Sequence, residues 1–203
     1  MKIYETRTAP NPRRVRIFLA EKGIEVPFEQ VDMTKGEHKG EAFTALNKLQ
    51  RVPVMVLDDG TAICESIAIC RYFEELHPQP RLFGEGPLGQ ATVEMWQRRM
   101  ELGLLAPVAS AFRHLHPAMA TLEVPQVPAW GEANKPRAIE MLALMDEQLG
   151  THRFLAGDAY SVADITALVA IDFMKPARIA RPEGLANLDR WYAEVAGRPS
   201  AKA

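Results

Sequence analysis

Cysteine is scarce in this chain: there are two, Cys64 and Cys70, in 203 residues. They are too few for a disulfide scaffold, and they form neither a Cys-x-x-Cys pair nor a zinc-ligand spacing, so no redox dithiol and no metal is expected. Long apolar runs are missing as well. The greasiest stretches, residues 102–112 and 167–171, are broken by Gly103, Pro107 and Asp172, well short of the roughly 18 residues a membrane helix needs. Neither sign of charge dominates: 24 basic against 26 acidic residues leave a net charge of -2, evenly spread along the chain. That balance excludes a basic nucleic-acid face and a polybasic membrane patch. Residues 1–12 have no apolar core behind their first basic residue, so no secretory signal is read and a cytoplasmic protein is expected.

What is present is ordinary globular material, 47% hydrophobic and 25% charged, enough for one or two domains with a sizeable core. Two textures divide it. Residues 1–78 alternate short β-rich runs with helical segments, and residues 88–203 carry long helical periodicities without a convincing strand. Between them His77-Pro78-Gln79-Pro80 stops a helix and Gly84, Gly86 and Pro87 follow, which places a linker at 79–87.

In the first part the expected order is β-α-β-α-β-β-α. A strand at 2–5 leads to a helix at 12–22 closed by Gly23, with Val15, Phe18 and Leu19 facing inward. A strand at 26–31 and a short helix at 41–46 follow. A strand at 54–57 turns at Asp59-Gly60 into Ala62 and Ile63, a good hairpin signal. A helix starting near Glu65 buries Ile69, Phe73 and Leu76. In the second part Thr92, Trp96, Met100, Leu104, Val108 and Phe112 recur every four residues, predicting a long helix kinked at Pro107 and ended by Pro117. Helices are also expected at 132–149, 161–174 and 185–195. The second of these has the clearest start, a reciprocal capping box between Ser161 and Asp164 with Tyr160 stapled on Ile165.

Four places hold residues suited to chemistry, and each also has a plain structural explanation. Asn11-Pro12 puts an asparagine at a helix cap and a proline at the first helical position; the result is a capped helix, or a positive helix end that attracts a thiolate. Val52-Pro53 is either a simple entry to a strand or a cis peptide. Glu65-Ser66 either caps a helix or grips the carboxylate and ammonium of an amino-acid-like ligand. Ser110 and His114 lie four apart on one helix face and can polarise water or a thiol, while His116 points elsewhere.

The runs Ala9-Pro10-Asn11-Pro12-Arg13-Arg14-Val15, Asn47-Lys48-Leu49-Gln50-Arg51-Val52-Pro53-Val54 and Asp58-Asp59-Gly60-Thr61-Ala62-Ile63-Cys64-Glu65-Ser66, in that order, resemble the thioredoxin-like domain of cytosolic glutathione S-transferases. Ser161-Val162-Ala163-Asp164-Ile165 resembles the capping motif of that family's helical domain. The resemblance implies a thioredoxin-like N-terminal domain, an all-helical C-terminal domain that forms an electrophile pocket, and a homodimer. It implies a cis bond before Pro53, Val52 pairing with the cysteinyl residue of glutathione, and Glu65 and Ser66 on its γ-glutamyl end. His38, Arg51 and Lys39 stand where related classes contact the glycine carboxylate.

One departure stands out. Where many members carry a thiol-activating tyrosine, serine or cysteine, this chain has Ala9, and Thr8 serves only if the loop shifts. Asn11 matches a bacterial class that employs an asparagine near the helix start. The Asn-Pro-Arg-Arg-Val-Arg run is similar to an atypical bacterial and fungal branch thought to use serine and histidine in the helical domain, where Ser110, His114 and His116 lie. The implied activity is transfer of the glutathione thiolate to a small hydrophobic electrophile, with glutathione as co-substrate and no other cofactor. The alternatives are a glutathione-dependent peroxidase or disulfide reductase, and a non-catalytic binding protein on the same fold.

Overall fold

The computed structural model describes residues 1–203. They form two compact units, residues 1–81 together with 199–203, and residues 82–198. No helix is long and apolar enough to cross a membrane.

The first unit is a four-stranded mixed sheet with helices, in the order β1 (Lys2–Glu5), α1 (Pro10–Lys22), β2 (Phe28–Gln30), a 3-10 turn (Glu37–Lys39), α2 (Glu41–Leu46), β3 (Val54–Val56), β4 (Ala62–Cys64) and α3 (Ser66–Leu76). The strands lie in the order β2-β1-β3-β4, with β1 parallel to β2 and antiparallel to β3, and β3 antiparallel to β4. This is the thioredoxin-like arrangement expected from the sequence. Strand alternation divides the core. Tyr4 and Val54 are register partners and pack with Val31, Phe43 and Val52 in one cluster. Their neighbours Ile3 and Met55, also paired, point to the other face and are fully buried, as are Val15 and Phe18 of α1 and Ile69 of α3. Gly60 closes the β3-β4 turn at φ 86°, a conformation that glycine adopts without steric cost.

The second unit is all helical: α4 (Gly86–Arg98), a π-helical stretch (Arg99–Leu105), α5 (Ala106–Leu115), α6 (Pro128–Leu149), α7 (Val162–Met174) and α8 (Ala186–Ala196). The central helix is α7, buried from Val162 through Ile171. Its capping box is present, and Asp164 does more than cap. Its carboxylate accepts from the Leu155 and Ser161 amides (3.0 Å each), the Ser161 hydroxyl (2.9 Å) and the Trp191 indole N–H (2.8 Å). One buried side chain thus ties α7 to α8 and to the preceding loop. The Tyr160 ring packs edge-on against Phe154 at 5.7 Å.

Several boundaries differ from expectation, and three share a cause. Helix α1 begins at Pro10, α4 at Gly86 with Pro87 second, and α6 at Pro128. In each case the helix starts earlier than expected, because a proline in the first turn lacks an N–H that would have no helical acceptor anyway. Asn11 is therefore not the cap of α1; Ala9 is. Strand β2 is shorter than the 26–31 run. Leu76, expected inside, is 52% exposed as the final residue of α3; periodicity gives an angle around the helix, not where its covering ends. At Pro107 the i→i+5 winding of residues 99–105 precedes α5, in which the proline occupies the first turn, so the ring meets no tightly wound carbonyl four residues earlier.

Candidate functional site

Sheet register assembles the first unit's site. Tyr4 pairs with Val54, and Val54 with Cys64, so the end of β1, the start of β3 and the end of β4 lie at one end of the sheet. From that end issue the turn of residues 6–9 that leads to Asn11, the cis peptide Val52-Pro53, and Glu65 with Ser66. The three segments that the sequence singled out are thus neighbours.

At the start of α1 the supply of donors is unusual. A helix offers four N–H groups without helical acceptors. Here the Ala9 amide is taken by Thr6 O at 2.9 Å, while Pro10 and Pro12 have none. Asn11 is the one residue left that offers a main-chain donor in this turn. Its side chain adds to this, because Asn11 Oδ1 accepts from Arg14 Nη2 at 2.9 Å. With the oxygen engaged, the amide NH2 is the free end. Sequence reasoning passed over Arg14; the signal was its i,i+3 spacing from Asn11. Thr8 is exposed in the preceding turn.

The start of α3 is likewise open. Glu65 is the cap residue and makes no side-chain cap bond, and Ser66, buried to 2% exposure as the first helical residue, makes no hydrogen bond through its hydroxyl. Capping thus leaves both side chains unexplained. Glu65 has φ 69°, a region that costs a non-glycine residue about 1–3 kcal/mol and is concentrated at functional sites. The exposed Glu65 carboxylate has no ion-pair partner, and neither have the exposed Lys39 and Arg51 side chains.

His38 sits on the 3-10 turn, 2% exposed, with Nδ1 unpartnered. Burial, then the nearby charges of Lys39 and Arg51, hold its imidazole below the ordinary value of 6.5, which favours the neutral form. The loop before it is fixed by Asp32, which accepts from the Thr34 hydroxyl (2.6 Å) and the Thr34 and Lys35 amides (2.9 and 3.2 Å). These bonds, the Thr34 hydroxyl first, pull the Asp32 carboxyl down to about 2. A neutral imidazole beside two cations suits a carboxylate ligand. The thiols are unsuited to nucleophilic work: burial pushes Cys70 up to about 12, and burial followed by Glu65 pushes Cys64 up.

In the helical unit Ser110 and His114 serve different surroundings. Ser110 lines an open groove of about 560 Å³ between α5 and α6, with Leu102, Ala106, Trp130, Met141 and Leu144. Gly103 permits the close approach there, since a Cβ would lie 2.2 Å from Met141 Cε. His114 does not line the groove. Its Nδ1 accepts the Val127 amide at 3.1 Å and its Nε2 lies 3.9 Å from Glu123 Oε1, so it fastens the loop before α6. A separate aromatic surface forms where Phe112 stacks on His116 (4.7 Å) and leans on Phe173 (4.9 Å), all three half-buried. Trp96, Met100 and Leu104 are core residues.

A thioredoxin-like unit with open helix starts at one sheet end, followed by an all-helical unit, defines the architecture of the transferases that the sequence resembles. Comparison with known proteins agrees. Residues 8–76 match the family described as glutathione S-transferase, N-terminal domain, and residues 99–199 match glutathione S-transferase, C-terminal domain. Glutathione S-transferase 2 of Saccharomyces cerevisiae is 38% identical over all of this chain and 88% of its own length. Among solved structures, a glutathione S-transferase domain-containing protein of Marinobacter aquaeolei superposes with TM-score 0.96 at 42% identity, covering 98% of this chain and 99% of that one. Gtt2 of Saccharomyces cerevisiae superposes with TM-score 0.95 at 38% identity, covering 100% and 99%. The chain belongs to the glutathione S-transferase family.

Proposed function

We propose that this protein is a glutathione transferase whose thiol-activating residue is Asn11. The observation that carries this is the start of α1, where two prolines and the Thr6-Ala9 bond leave Asn11 alone to supply donors, its peptide N–H and its amide NH2. Both are suited to a thiolate, and the helix dipole adds to them. Glutathione would lie along the same end of the sheet, with its cysteinyl backbone on Val52, its γ-glutamyl group on Glu65 and Ser66, and its glycine carboxylate near His38, Lys39 and Arg51. The thiolate then forms a carbon-sulfur bond to an electrophilic carbon, and the displaced group leaves with its bonding electron pair.

For the electrophile we favour the Phe112, His116 and Phe173 surface, whose half-buried rings offer stacking area to a small apolar molecule. The groove beside Ser110 fits a different task. Leu88, Met95 and Leu102 follow one another at intervals of seven and are 81%, 41% and 57% exposed, and Leu144 across the groove is 40% exposed. An apolar stripe of that kind suits a second copy of the chain, which agrees with a homodimer.

A non-catalytic binding protein is the second reading, favoured by Ala9 standing where many relatives carry a hydroxyl or thiol. The raised values of both thiols argue against Cys64 or Cys70 as the nucleophile of a disulfide reductase, and leave a glutathione-dependent peroxidase or reductase at the same site as a further alternative. Retention on immobilised glutathione together with turnover of an aryl halide supports the transferase. Retention without turnover, or no retention at all, supports the non-catalytic protein and rejects the transferase.

A further inference from the structure

Four side-chain and backbone bonds close a ring around the peptide of Arg7. The Arg7 N–H donates to Gln30 Oε1 at 3.1 Å, and Gln30 Nε2 donates to Glu5 Oε1 at 2.7 Å. Arg16 Nη1 donates to Glu5 Oε2, and Arg16 Nη2 returns to the Arg7 carbonyl at 2.9 Å. The ring joins three elements: Glu5 ends β1, Gln30 ends β2 as its register partner, and Arg16 lies on α1. Glu5 is 1% and Arg16 7% exposed. Burying such a pair is weak support for stability, since desolvation offsets most of the attraction. What the ring does hold is the Arg7 backbone, its N–H through Gln30 and its carbonyl through Arg16.

Arg7 lies in the turn that carries the chain from β1 to Asn11. The turn has two further ties, Thr6 Oγ1 to Val31 O at 2.8 Å and the Ala9 N–H to Thr6 O at 2.9 Å. We propose that Glu5, Gln30 and Arg16 are positioning residues which clamp the Arg7 peptide and thereby fix the start of α1, and the Asn11 donors with it, in the geometry that lowers the thiol of bound glutathione. The proposal rests on the glutathione function inferred above. Its chemistry is directional: Glu5 must accept from both neighbours, so it acts as a carboxylate, and an amide in its place would turn N–H groups toward donors. Arg16 must reach two acceptors at once, which the guanidinium fork does and a lysine does less well.

The test uses the full chain and the variants Gln30→Ala and Arg16→Lys. Gln30 is exposed, so its variant folds even where Arg16→Lys does not. Amide exchange at Ala9, measured without glutathione, is expected to accelerate about tenfold or more in Gln30→Ala, while protection in α7 is unchanged. With glutathione bound, the thiol pKa is expected to rise by about one unit with Kd within about threefold of wild type, and kcat to fall about tenfold. Unchanged Ala9 exchange overturns the clamp. Faster exchange with unaltered thiol pKa and kcat also overturns it, reducing the ring to a structural feature. If wild-type protein fails to lower the thiol of glutathione, the glutathione function is what fails, and the exchange measurement still decides whether the ring holds the turn.

Discussion

Arg14 Nη2 donates to Asn11 Oδ1 at 2.9 Å, and that single bond leaves the NH2 as the end of the Asn11 amide available to a ligand. The consequence is a split between two substitutions. Asn11→Ala keeps the peptide N–H and loses only the side-chain donor, so kcat is expected to fall about tenfold to a hundredfold, at or below the usual cost of deleting one donor to an oxyanion. Asn11→Asp replaces the side-chain donor by an acceptor with negative charge and is expected to raise the bound thiol pKa beyond the alanine variant. Thermal melts control for folding, and an aspartate variant more active than alanine would contradict the assignment.

Ser66 is buried and yet makes no internal hydrogen bond through its hydroxyl. Ser66→Ala should therefore leave stability within about 0.5 kcal/mol of wild type. A hydrogen bond to a charged group contributes about 1.5–3 kcal/mol, so the glutathione Kd is expected to rise roughly tenfold or more. Calorimetric titration beside a thermal melt reads both; a destabilised variant with unchanged Kd would return the residue to a structural role.

Burial and two neighbouring cations depress the His38 imidazole below 6.5, which fixes the sign of a pH effect. The folded state binds that proton more weakly than the unfolded state, so the contribution is fully present above 6.5 and is lost as pH falls through the folded value. Melting temperature should accordingly decline on acidification below about pH 6.5, and His38→Gln should flatten that limb of the profile. Parallel profiles for the two proteins would show that another group titrates.

The helical unit's two apolar surfaces should respond separately. Phe112→Ala is expected to raise the KM for the electrophile about tenfold with glutathione KM unchanged, in line with about 0.5–1.5 kcal/mol for a lost aromatic contact. Leu102→Glu should leave that KM near wild type and convert a dimer into a monomer in sedimentation. Interchanged outcomes would exchange the roles of the two surfaces.

Local signals carried much of this fold. Alternation in β1, the Asp59-Gly60 turn, the Ser161-Asp164 box and the four-residue rhythm from Trp96 to Val108 are properties of neighbouring residues, and each appears where the sequence puts it. Helix starts at prolines were displaced because any first-turn position accepts a proline, so Pro10 and Pro12 fit the start of α1 equally well and Pro87 and Pro128 gave no sign that a helix had begun. The Glu5, Gln30 and Arg16 ring was invisible, since its members are 11 to 25 positions apart and nothing local distinguishes them from solvated charges. The one available hint was that Glu5 shares a strand face with the buried Ile3. His114 likewise shares a helix face with Ser110 in the sequence, but its bond to Val127 depends on how the loop of residues 116–127 returns.

The thiol of glutathione bound to the wild-type protein is where the function proposed for the start of α1 stands or falls. Ultraviolet titration of the thiolate in the complex should place its pKa at least about one unit below that of a free thiol near 8.5, with the shift largely lost in Asn11→Ala and retained in Thr8→Val. A complex that binds glutathione with its thiol unshifted, or one whose shift survives Asn11→Ala and disappears in Ser110→Ala or His114→Ala, would contradict it.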